Sequence, residues 1–161
     1  MTEKTPEIDP AFVTAARRQL DRIRWRREID RAYRGGERAE AIADRLGESV
    51  DTIISEIRKL ERRPNALVRT PKEVIDEYVV GERSRDDLVA TLSSWPYTYG
   101  QLGVNDGVDI LTSDAWDRGT WDDVKSARAS HVIDDETFAL IARAADLPAA
   151  VFPYWVNGPT Q

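Results

Sequence analysis

The chain contains no cysteine, one histidine and one methionine in 161 residues. Without cysteine there is no disulfide, no thiolate nucleophile and no thiolate metal site. The single histidine, His131, excludes two-histidine metal sites and any relay needing a second imidazole; near a helix C-terminus it reads as a capping or dipole residue. No apolar run approaches the ~18 residues required to span a bilayer, and the polar residues 1–6 lack the form of a signal peptide. A cytoplasmic location without membrane attachment is therefore expected. Glycine-rich phosphate loops of the Walker or dinucleotide kind are missing as well. Residues 105–109 have the look of a calcium loop but lack its alternating acidic ligands and closing glutamate, which leaves a turn. Asp114, Asp117, Asp122 and Asp123 could gather for metal binding or acid–base work, yet such residues serve as readily as helix caps and solubilising charge. No catalytic residue, metal site or cofactor is expected, and the chain does not read as an enzyme.

What is present points elsewhere. Hydrophobic residues make up 41% of the chain and tryptophan occurs five times, a composition that folds. The length suits one ordinary domain or two small ones. Arginine outnumbers lysine 19 to 4, a skew associated with GC-rich bacterial genomes. The formal net charge of −6 is unevenly spread. Residues 1–72 carry 17 basic and 13 acidic side chains, net +4, and residues 73–161 carry 6 and 16, net −10. A nucleic-acid module joined to an acidic partner module has this asymmetry, because binding follows local field rather than total charge. Chance segregation of solvated surface charge would give it too.

Residues 40–60 organise the basic half. Ile42, Ala43 and Leu46 share one helical face, Gly47 sits where a chain leaving a helix takes a left-handed residue, and Ser49 can cap a following helix. That helix repeats Ile53, Ile54, Ile57 and Leu60 at helical spacing. With its small Ala43, turn Gly47 and buried Ile53, the stretch over residues 37–63 resembles the helix-turn-helix superfamily of DNA-binding regulators. The resemblance implies a second helix that enters the major groove. Glu56 departs from the pattern, at a position where many members keep an apolar residue, with Ile57 taking the burial. Residues 60–69 look like the exit from a winged variant, in which a strand follows the recognition helix, although no second wing strand is legible.

Upstream, residues 10–34 read as a helix ended by Gly35 and Gly36, with Pro10 in its first turn. Two apolar stripes lie on nearly opposite sides: Phe12, Val13, Ala16, Leu20 and Ile23, then Trp25, Ile29, Ala32 and Tyr33. One stripe can supply the third helix of a helix-turn-helix core. The other needs the C-terminal half or a second copy, unless the helix breaks near Arg24 and brings both to one core. Arg17, Arg18, Arg22, Arg24, Arg26, Arg27, Arg31 and Arg34 on this segment can hold phosphates, or form a solvated face paired with Asp21, Glu28 and Asp30.

Beyond the breaker at residues 62–65 a second domain is expected. Thr70 and Pro71 open a helix burying Val74, Ile75, Tyr78 and Val79 up to Gly81. Ser84 opens another, burying Leu88, Val89 and Leu92 and ending near Pro96. Residues 96–119 are irregular, with Tyr97, Tyr99 and Trp116 closing a small core and a short strand near residues 108–111. Thr120 then caps a helix to about His131, and residues 134–136 open a last helix to Asp146 whose buried face is Phe138, Ile141, Ala142 and Ala145. The apolar tail at residues 151–156 packs back or inserts into a partner. No internal repeat is legible. The segments Trp95-Pro96-Tyr97, Gly119-Thr120-Trp121-Asp122-Asp123-Val124 and Asp134-Asp135-Glu136 are similar to those of uncharacterised small proteins of GC-rich bacteria and their phages.

The expected fold is mostly α. Residues 1–9 form a disordered start, residues 10–69 a three-helix helix-turn-helix domain, and residues 70–161 an acidic, Trp/Tyr-rich helical partner-binding domain with an irregular aromatic loop. The expected DNA contacts are Arg38, Arg45, Ser49, Asp51, Thr52, Ser55, Arg58, Lys59 and Arg62, with Glu56 on the same exposed side. Ser49, Thr52 and Ser55 suit base edges or phosphates, and the cations suit phosphates. Glu48, Asp51 and Glu56 repel phosphate unless one accepts from a cytosine amino group. The expected partners are double-stranded DNA, a second copy in a homodimer, and a basic protein held by the acidic half, as in an antitoxin that binds its own operator. The alternative is an interaction or scaffold protein of phage origin whose helix-turn-helix does not bind DNA.

Overall fold

A computed structural model describes residues 7–99, 101–102, 116–117 and 119–145 of the chain. The fold is mostly α. Seven helices occur among the described residues: α1 (Pro10–Arg34), α2 (Ala39–Leu46), α3 (Val50–Arg62), α4 (Pro71–Val79), α5 (Arg85–Ser93), α6 (Trp121–Ala129) and α7 (Asp135–Ala144). A two-residue antiparallel pair, β1 (Gln101–Leu102) and β2 (Trp116–Asp117), sets Leu102 opposite Trp116. The chain divides into two compact units, one of residues 14–69 and one of residues 70–161 with residues 1–13. The turn at residues 105–109, the strand near residues 108–111, Asp114 and the apolar tail at residues 151–156 lie outside the described residues. None of the described helices is long and apolar enough to cross a membrane.

In the first unit α1 continues unbroken past Arg24. Its start is fixed by Asp9, whose carboxylate accepts from the Ala11 amide at 2.8 Å. Ile29 and Ala32 join Ile42 and Ala43 of α2 and Ile53 and Ile57 of α3 in one buried cluster, flanked by Trp25, Ala39, Leu46 and Val50. The second apolar stripe of α1 thus supplies the third helix of this core. Ala16 and Leu20 of the other stripe are buried as well. No strand lies between α3 and α4. Residues 64–67 form a turn instead, held where the Arg27 guanidinium donates to the Leu67 carbonyl at 3.0 and 3.3 Å.

In the second unit α4 packs on α5 and on α6, α6 on α7, and α5 most extensively on α7. Its core includes Val74, Leu88, Leu92, Val124, Phe138 and Ile141, all buried. Tyr97 meets Trp121 edge-on, with ring centroids 4.9 Å apart, and Trp121 in turn meets Phe138. Burial pushes the Tyr97 hydroxyl well above the usual phenol range, and it donates to the Leu92 carbonyl at 2.6 Å.

The two hairpins of this unit correspond at a spacing of 50 residues. Each has a nine-residue first helix, at 71–79 and 121–129, and a second helix starting at 85 and 135. Between them lies one left-handed residue, Gly81 at φ +83° or His131 at φ +56°. The amide after each returns to a carbonyl five residues back, Glu82 to Glu77 and Val132 to Ala127, both at 2.9 Å. Ser84 and Asp134 then cap α5 and α7 by accepting from the amides of Asp87 and Thr137. This is the glycine-type helix exit run directly into a capped helix.

Thr120 does not repeat the capping by Thr70. Thr70 accepts from the Glu73 amide at 3.3 Å. The Thr120 hydroxyl accepts instead from the Thr98 amide at 2.8 Å, and its own backbone is already helical. The Asp122 carboxylate reaches back and accepts from the Gly119 amide at 3.0 Å, the reciprocal bond of a capping box.

Candidate nucleic-acid interface

The α2–α3 hairpin is built by the same exit. Gly47 lies at φ +70° and ψ +30°, and the Glu48 amide returns to the Ala43 carbonyl at 2.9 Å. No atom lies within 4 Å of where a Cβ on Gly47 would stand, so the glycine is required by backbone conformation and not by crowding. Two residues later the Ser49 hydroxyl accepts from the Thr52 amide at 3.1 Å and meets the Thr52 hydroxyl at 2.8 Å. Three residues therefore reverse the chain, and Ser49 is engaged as the cap.

On α3, Ile53, Ile57 and Leu60 are buried and Ile54 is half-buried. At 3.6 residues per turn, Asp51, Ser55, Arg58 and Arg62 fall at i, i+4, i+7 and i+11, one ridge facing directly away from that core. All four are exposed, as are Thr52 and Lys59 on the adjoining row. Asp51, Arg58 and Arg62 form no ion pair among the described residues.

Glu56 corrects the expectation of an exposed acid. It is 6% exposed, paired with the Arg26 guanidinium of α1, with Lys59 Nζ at a looser 3.8 Å. Helical spacing places Glu56 beside Ile53 and Leu60, on the flank that α1 covers. The arginine makes the burial tolerable, since a buried carboxylate needs both a countercharge and a hydrogen bond.

The remaining expected contacts divide. Arg45 is held between Glu28 at 2.7 Å and Glu37 at 3.1 Å. Hydrogen bonds to Glu37 and Glu28 raise its pKa further, and those from Arg31 and Arg45 hold the Glu28 carboxyl below the usual range. Arg45 thus spends its charge on α1 and the α1–α2 turn. Arg38 stands at the start of α2 without a capping bond, 85% exposed, with Glu40 at 3.6 Å. The α1 arginines also separate. Arg26 and Arg27 turn inward to Glu56 and Leu67, and Arg31 and Arg34 pair with Glu28 and Asp30. Arg17, Arg18 and Arg22 are exposed, with no such partner among the described residues. Sequence reading assigned no structural work to Arg26; the signal available to it was the acid on α3 that needed a cation.

Comparison of the chain with protein-family models, with curated proteins and with solved structures gives no match.

Proposed function

We propose that this chain is a small cytoplasmic regulator that binds duplex DNA sequence-specifically, with α2 and α3 acting as a helix-turn-helix and α3 lying in the major groove. One observation carries the reading: the ridge of α3 opposite the core presents Ser55, Arg58 and Arg62 to solvent while the mid-helix acid, Glu56, is turned inward onto Arg26. A helix so arranged offers hydroxyl and cationic groups to a groove and keeps one repulsive charge out of it. Arg17, Arg18 and Arg22 are further cations available to phosphates. In this reading the acidic second unit is the partner-binding part, suited to a basic protein surface as in an antitoxin-like autorepressor, and pairing of two copies would match two half-sites.

A second reading has a specific observation in its favour. Glu40, Asp44, Glu48 and Asp51 are all exposed on α2, the turn and the start of α3, an acidic stretch that suits a protein partner better than phosphate. There the hairpin is an interaction or scaffold element.

The test is retention of the full chain on a mixed pool of duplex DNA at low and moderate salt. The DNA reading expects binding that weakens steeply with salt, with a log–log slope that falls by about 0.9 for each phosphate contact removed. Changing Arg58 and Arg62 to alanine should abolish most of it without loss of helicity. No retention of the folded protein at low salt would select the second reading.

A further inference from the structure

We propose that Asp51 selects cytosine in the DNA that α3 reads, an inference that rests on the DNA-binding reading above. Four acids belong to α3 or the turn before it, and the structure separates them. Glu61, at the far end of the helix, accepts from the Tyr33 hydroxyl at 3.3 Å. Glu56 is turned onto Arg26. Glu48 belongs to the turn. Asp51 stands on the outward ridge with Ser55, Arg58 and Arg62, in the first turn of the helix, exposed and without an ion pair among the described residues.

If α3 occupies the major groove, that position faces base edges, because residues near the start of such a helix make the base contacts. An ionised carboxylate only accepts hydrogen bonds. In the major groove guanine offers two acceptors, and thymine an acceptor and a methyl group. Adenine offers an amino donor beside an acceptor, N7, which repels the second carboxylate oxygen. Cytosine alone presents an amino donor without an acceptor of its own beside it. Asp51 therefore disfavours three bases and accepts from one. Its repulsion from phosphate lowers affinity for every sequence, and the cytosine amino group recovers that loss at one position only. The acid acts on discrimination rather than on strength, and Arg58 and Arg62, two to three turns further along the same ridge, supply the attraction.

The experiment is selection from a randomised duplex pool at one low salt concentration, using the full chain, Asp51→Ala and Asp51→Asn. The expected result is a position where the wild type prefers cytosine by about tenfold. Asp51→Ala loses the preference while binding the pool at least as tightly, and Asp51→Asn moves it toward adenine, whose N6 and N7 match a side-chain amide. Retention of the same cytosine preference by Asp51→Ala overturns the assignment and leaves DNA binding intact, as does a wild-type selection with no cytosine position. A wild type that retains no duplex at all overturns the DNA-binding reading, and the role of Asp51 with it.

Discussion

The α2–α3 hairpin and the two hairpins of the second unit share one local design but differ in the charge that their second helices expose. In all three a left-handed residue ends the first helix, an amide returns five residues back, and a Ser or Asp side chain caps the second helix. In the second unit the second helices pack on each other, α5 on α7, and their exposed first turns are acidic, with Asp86 and Asp87 on one and Asp135 and Glu136 on the other. Alone of the three second helices, α3 exposes a ridge carrying Arg58 and Arg62. The hairpin is therefore a general means of reversing a chain, and what a copy can do depends on the outward charge of its second helix. A helix-turn-helix reading rests on that outward face more than on the turn.

The contrast can be tested where it should cost most. Leu88 of α5 is fully buried, and Leu88→Ala should lose about 2–5 kcal/mol of stability by the transfer and cavity terms, read as a fall in the denaturant midpoint. Protein that remains folded should still be retained on DNA to the wild-type extent. The paired change of Arg58 and Arg62 to alanine should do the reverse, moving stability by less than about 0.5 kcal/mol while removing retention. If Leu88→Ala abolished retention by protein still folded, the second unit would belong to the binding surface, and the assignment of DNA contact to α3 alone would fall.

The inward turn of Glu56 is what clears the middle of α3 of acid, and its partner can be removed. Arg26→Ala leaves a carboxylate at 6% exposure without its main cation, and should cost about 2 kcal/mol, the range for a hydrogen bond to a charged group. Adding Glu56→Leu should recover most of that loss, because an apolar side chain fits beside Ile53 and Leu60 without needing a partner. A double-mutant cycle measures the coupling. If the two changes cost the same separately and add when combined, the pair does not hold α3 to α1.

These comparisons also mark which features were legible before the structure. Helix ends were, because caps are local: Ser49, Thr70, Ser84 and Asp134 each accept from the amide three residues on. The buried face of α3 was legible for Ile53, Ile57 and Leu60, since the 3.6-residue period needs no knowledge of the rest of the chain. Glu56 was misplaced because its burial depends on Arg26, 30 positions away. Thr120 failed as a cap for a similar reason, its hydroxyl being taken by Thr98, 22 positions away. Arg45 gave no sign in sequence that two acids would hold it. The correspondence of the two hairpins was hidden because it lies in backbone geometry, and the residue types at matching positions differ, most visibly Gly81 against His131.

That last pair allows a small and pointed test. Both residues take positive φ, at +83° and +56°, but only glycine does so without steric cost, which for other residues is about 1 kcal/mol. No atom lies within 4 Å of a Cβ added at Gly81, so Gly81→Ala meets no crowding and should lose about 1 kcal/mol from backbone strain alone. His131 is exposed and already carries such strain. His131→Gly should therefore raise stability by up to about 1 kcal/mol, less the extra freedom glycine gives the unfolded chain. Opposite signs at two positions 50 residues apart, read from thermal or denaturant melts, would show that the exits of α4 and α6 are one device filled by different residues. A loss of stability in His131→Gly would mean that the imidazole does work at the end of α6 that outweighs its strain, and the two hairpins would be alike in path but not in what holds their turns.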